Sequence, residues 1–81
     1  MNITVQFYSY FKDLTGCSEF NGEVQEGTSI ENFLSVIEQQ FPKMTSMRHC
    51  TLIAVGVEYQ TRDYILKPGD EVSLFPPVQG G

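Results

Sequence analysis

Apolar and polar residues alternate from Ile3 to Tyr8, with Ile3, Val5 and Phe7 on one side and Thr4, Gln6 and Tyr8 on the other. That period of two predicts a half-buried strand. Phe11 and Leu14, three apart, then predict one or two helical turns over residues 9–15, closed by Gly16 as a left-handed cap. Cys17 to Val24 reads as the return strand, with Asn21-Gly22 marking a turn or bulge. The strongest pattern runs from Thr28 to Phe41. There Ile30, Phe33, Leu34, Ile37 and Phe41 form one stripe, and Glu31, Asn32, Ser35, Glu38 and Gln39 take the opposite side. Thr28 and Glu31 have capping-box spacing, and Pro42 stops the helix. The stripe is read as core packing.

Lys43 to His49 shows no period. Thr51 to Val55 is a short apolar run that suits a buried strand, without a pattern that assigns its faces. Gly56 allows a turn into a short edge strand over residues 57–60. Lys67-Pro68-Gly69-Asp70 carries Pro and Gly at the central positions of a type II turn. The last strand starts at Glu71, with Val72 and Leu74 on one face and Glu71, Ser73 and Phe75 on the solvent parity. The order strand, strand, helix, strand, short strand, strand predicts an α+β fold of the β-grasp (ubiquitin-like) type. Its mixed sheet of about five strands carries one main helix across one face. First and last strands lie side by side in that arrangement, which sets Tyr8 near Phe75 and predicts an aromatic anchor for a partner on the helix-free face.

Composition narrows the function. A chain of 81 residues is one domain, and 41% hydrophobic content is enough for a core, which argues against disorder. The net charge of −5 disfavours nucleic acid as a partner and suits a basic protein. Cys17 and Cys50 form no C-x-x-C and, with His49 alone beside them, no four-ligand zinc site, so no metal is expected. Both thiols are read as small apolar core residues, and His49 as a surface or loop histidine. Asp70 and Glu71 point to opposite faces and make no catalytic pair. With no charged-then-apolar leader and no apolar run that spans a bilayer, the expectation is a cytoplasmic protein with reduced thiols and no membrane partner.

Pro76-Pro77 ends the last strand and stiffens the exit. The expected division is a domain over residues 1–77 and a flexible diglycine tail over residues 78–81. Val78, Gln79, Gly80 and Gly81 could reach about 14 Å at roughly 3.5 Å per residue. By itself such a stretch is either a frayed glycine-rich terminus or a carboxylate that threads into a partner's active site.

From Leu66 onward the chain resembles a family more specifically. The leucine, Gly69-Asp70-Glu71-Val72, an apolar pair, Pro76-Pro77-Val78, one variable residue and Gly80-Gly81 are similar to the closing pattern of the small subunits of molybdopterin synthase, ubiquitin-like sulfur carriers. Weaker echoes are Phe11, Leu14 and Gly16 near the start, Thr28 opening the helix, Phe41-Pro42 closing it, and Ala54-Val55 before a turn. Two positions depart: Gly56 stands where the family often has Asn, and Gln79 where a small residue is usual. The second bears on which partner enzyme accepts the tail.

The resemblance implies that an ATP-dependent activating enzyme adenylates Gly81, and that a sulfur donor converts the adenylate to a thiocarboxylate. Gly80, Gln79 and Val78 would thread into the large subunit, where a cyclic pyranopterin receives the sulfur. Phe75, Pro76, Pro77 and Tyr8 would meet the partner. On this reading the chain holds no cofactor of its own, ATP belongs to the activating enzyme, and catalytic residues sit on the large subunit. Rival readings are a carrier serving thiamine, cysteine or tRNA thiolation, a ubiquitin-like modifier joined to lysines, and a β-grasp interaction module. A ferredoxin is excluded, because two cysteines cannot ligate a [2Fe–2S] cluster.

Overall fold

The structure, a computed structural model, describes residues 1–77. In chain order it contains β1 (Asn2–Phe7), α1 (Tyr10–Thr15), β2 (Glu19–Glu23), α2 (Ile30–Gln40), a run of 3-10 turns (Pro42–Cys50), β3 (Leu52–Val55), β4 (Glu58–Tyr59) and β5 (Glu71–Phe75). The strands form one sheet in the order β2-β1-β5-β3-β4. β1 and β5 run parallel at its centre, and every other pairing is antiparallel. This is the mixed five-strand β-grasp sheet that the hydrophobic pattern predicts.

The alternation in β1 holds as expected. Ile3, Val5 and Phe7 are buried and join Val72 and Leu74 of β5 in one core with Ile30, Phe33 and Ile37 of α2. Phe41, just past α2, sets its ring edge-on to both Phe7 and Phe20, with centroids 5.5 and 5.3 Å away. Such T-shaped contacts suit the aromatic quadrupole and tie the end of the helix to β1 and β2.

Several local expectations are corrected. Asn21 and Gly22 make no turn: they lie inside β2, opposite Thr4 and Ile3. Glycine is there for packing, since a Cβ would stand 2.9 Å from the Phe33 ring. The helix starts later than the capping-box spacing suggests. Ser29 is the N-cap, its Oγ accepting from the Asn32 N–H at 3.2 Å, while the Thr28 hydroxyl donates to the Gln25 carbonyl at 2.7 Å. Glu31 is drawn away by charge instead. Its carboxylate pairs with Arg48, which also donates to Glu38 at 3.1 Å, and Arg62 approaches it at 3.7 Å. A guanidinium presents a fork of donors that one backbone N–H cannot match.

That arginine pins the aperiodic stretch. Residues 42–50 turn with a three-residue repeat, and within them only Met44 is buried. Cys50 is therefore exposed, contrary to the core role expected of it, whereas Cys17 is half-buried and packs against the core. His49 is exposed. The turn before β5 forms as predicted. Asp70 N–H donates to the Lys67 carbonyl at 3.0 Å, and Gly69 takes a φ of 86°, which this turn type requires of its second central residue. The Asp70 carboxylate then accepts from Lys67 N–H at 2.9 Å and from the Tyr64 hydroxyl at 3.0 Å.

Candidate functional site

β5 delivers the chain to residues 76–77 from the middle of the sheet, so the surface around its end is shaped by both neighbouring strands. Directly paired residues share a face. Phe75 pairs with Leu52, Ser73 with Ala54 and Gln6, and Ala54 with Tyr59. The helix-free face therefore gathers Phe75, Leu52 and Tyr59 at one end. Tyr8 completes the group. Its N–H donates to the Leu74 carbonyl at 3.2 Å, and its ring stacks on Phe75 with centroids 4.7 Å apart and planes 14° from parallel. Tyr59 meets the other side of Phe75 at 6.4 Å, inclined by 61°.

The predicted neighbours Tyr8 and Phe75 are thus in contact. Phe75 is half-buried, because the Tyr8 ring lies over it, while Tyr8, Leu52 and Tyr59 are 41%, 39% and 72% exposed. Pro76, next in the chain, is half-buried and Pro77 exposed. Val78, Gln79, Gly80 and Gly81 lie outside the described residues. Ser73 lies on the expected helix-free side but is buried rather than exposed, flanked on the central strand by Gln6 and Ala54. Leu52 and Tyr59 were not foreseen as part of the patch. Their signal was the register of β3 against β5, which a five-residue apolar run does not carry.

Charge is segregated as well. None of the five Lys and Arg residues lies on a strand, and the helix-free face carries Glu19, Glu23 and Glu71, all exposed. Away from the aromatic end this face is closed by cross-strand polar pairs. Thr4 Oγ1 donates to Asn21 Oδ1 at 2.8 Å, and Gln6 Nε2 to Glu19 Oε1 at 2.7 Å. The result is an apolar aromatic patch beside an acidic field, a surface suited to a partner with an apolar centre and cationic rim. Among the described residues there is no pocket and no cluster of His, Cys, Asp or Glu that could hold a metal. No helix among them is long and apolar enough to cross a membrane.

The family model described as the ThiS family matches residues 5–81, from the first strand through the diglycine. The chain belongs to the ThiS family. Among relatives of this ThiS-family chain, the molybdopterin synthase sulfur carrier subunit of Chlamydomonas reinhardtii is 31% identical over 84 residues, covering all of both chains. Solved structures agree. The protein–protein complex of subunits 1 and 2 of the molybdopterin-converting factor from Helicobacter pylori contains a chain similar to this one over the full length of both, with 26% identity and a TM-score of 0.71. SAMP1 from Haloferax volcanii also matches over the full length of both chains, with a TM-score of 0.91; at 18% identity it shows the shared fold.

Proposed function

We infer that this chain is a sulfur carrier subunit of a molybdopterin synthase and delivers sulfur from a thiocarboxylate on Gly81. The observation that carries the reading is its likeness, from end to end, to a sulfur carrier subunit of that synthase. The tail chemistry follows from the acyl group. A free carboxylate is a poor electrophile. An ATP-dependent activating enzyme would join the Gly81 carboxylate to the α-phosphate of ATP, releasing pyrophosphate and leaving AMP as a good leaving group. The terminal sulfur of a persulfide donor then attacks the carbonyl carbon and AMP departs. A second thiol cleaves the resulting acyl disulfide, is oxidised with the donor sulfur to a disulfide, and frees the thiocarboxylate.

In the synthase, the aromatic end of the sheet would dock on the large subunit, with the acidic face meeting cationic residues. Gly80 and Gly81 have no side chains to obstruct a narrow channel. Docking of the body would hold the thiocarboxylate beside a cyclic pyranopterin, so the reaction gains by proximity. The large subunit would supply the proton transfers and oxyanion stabilisation.

Intact mass of the protein purified from its native host tests the reading. Replacement of one terminal oxygen by sulfur adds about 16 Da, and a strain lacking the activating enzyme should yield only the lighter form. Gly81→Ala should fold as wild type yet stay light, because the added methyl crowds the reacting carbon. An unmodified wild-type chain accompanied by larger, protease-resistant conjugates overturns the carrier reading in favour of a modifier. Heavy protein that transfers no sulfur to the pyranopterin with the large subunit present overturns the molybdopterin assignment alone.

A further inference from the structure

Ser9 is the one non-glycine residue with positive φ among the described residues. Its φ of 52° and ψ of −129° fall in a region that L side chains avoid and glycine occupies freely. Phe11 N–H donates to the Tyr8 carbonyl at 3.1 Å across it. These angles and that closing bond are those of a type II′ turn with Ser9 at the first central position, where glycine is the usual residue. Such a conformation persists where its surroundings over-determine it. Here both flanks are anchored. Phe11 is fully buried in the core, and Tyr8 is held by the Leu74 carbonyl and by stacking on Phe75. Lys12 N–H adds a bond to the Ser9 carbonyl at 3.0 Å. The Ser9 side chain makes no capping hydrogen bond to α1, so capping does not account for the residue.

We propose that Ser9 is a positioning residue for the docking surface: its left-handed turn reverses the chain between β1 and α1 so that the Tyr8 ring lies flat on Phe75. The consequence for partner binding rests on the proposed function. The placement of the ring does not, and it is read in the free protein.

The chain can be assembled by ligation at the Gly16–Cys17 junction, which allows a D-residue at position 9. D-serine favours the observed angles. It should preserve the ring-current shifts of the Tyr8–Phe75 stack and raise the melting temperature. Ser9→Gly should keep the stack as well. Ser9→Val, whose branched side chain opposes positive φ, should lose the ring-current signature and bind the large subunit about tenfold more weakly. In a Tyr8→Ala background, Ser9→Val should cause no further loss of affinity. Loss of the stack with D-serine overturns the proposal, as does a Ser9→Val variant that keeps the stack. So does an affinity loss of equal size with and without Tyr8. If Tyr8→Ala binds the large subunit as wild type does, the docking reading fails while the ring-current data still decide the role of Ser9.

Discussion

Gly22→Ala is a sharp test of how this small core is packed. The added Cβ would stand 2.9 Å from Phe33 Cε1, with further contacts at 3.3 Å to Phe20 and 3.4 Å to Phe33 Cζ. Phe33 is fully buried in α2, so its ring cannot swing into solvent; either the ring shifts within a filled core or β2 moves away from the helix. Overpacking of this kind costs about 1–3 kcal/mol. Against it stands the lower entropy of the unfolded alanine chain, which returns about 0.4–1 kcal/mol. The net is a destabilisation of about 1–2 kcal/mol. For a domain of this size, at about 4–8 °C per kcal/mol, that corresponds to a fall in Tm of about 4–16 °C. Thermal unfolding followed by circular dichroism measures it, and Gly22→Ala combined with Phe33→Leu should recover part of the loss by making room for the methyl. A Gly22→Ala variant as stable as wild type would show that the Phe33 ring does not bear on β2, and the packing argument would be wrong.

Other outcomes follow from the same contacts. Phe75→Asp should leave the domain folded, with a melting temperature lowered by the lost ring contacts, and weaken binding to the large subunit by about 2 kcal/mol or more in a titration, as for an aromatic anchor; unchanged affinity removes Phe75 from the docking surface. Arg48→Met leaves the Glu38 carboxylate, 14% exposed, without its partner, and releases the 3-10 run from α2. The expected cost is about 1–2 kcal/mol in denaturant unfolding, between the values for surface and buried pairs. Tyr64 gives a pH signature. Desolvation, then the hydrogen bond and charge of Asp70 and the charge of Glu58, raise its phenol above the usual value near 10. A raised folded pKa favours the protonated form, so its contribution is complete below pH 10 and is lost as pH rises beyond that. Tyr64→Phe should therefore lose less stability than wild type between neutral and strongly alkaline pH, measured as Tm against pH.

What the chain could state locally, it stated well. Residue-by-residue alternation at Ile3–Phe7, the helical stripe from Ile30 to Ile37, and the Pro68-Gly69 turn each follow from the geometry of one element. They appear in the structure as written. The likeness of the final residues to sulfur carriers was legible because glycines, prolines and one acidic turn stand at characteristic spacing. Other features depended on neighbours remote in sequence. Asn21-Gly22 looked like a turn because a glycine that clears a distant aromatic ring leaves the same letter as one that bends the chain. Glu31 looked like a cap because Arg48, distant in sequence, does not announce which carboxylate it will take. Leu52 and Tyr59 joined Tyr8 and Phe75 only when β3 and β4 were set in register beside β5. The sequence by itself thus determined the main elements, their order and the family to which the chain belongs. Tertiary structure decided the shape of the aromatic face, since cross-strand pairing and ring stacking depend on distances between segments that no local period encodes.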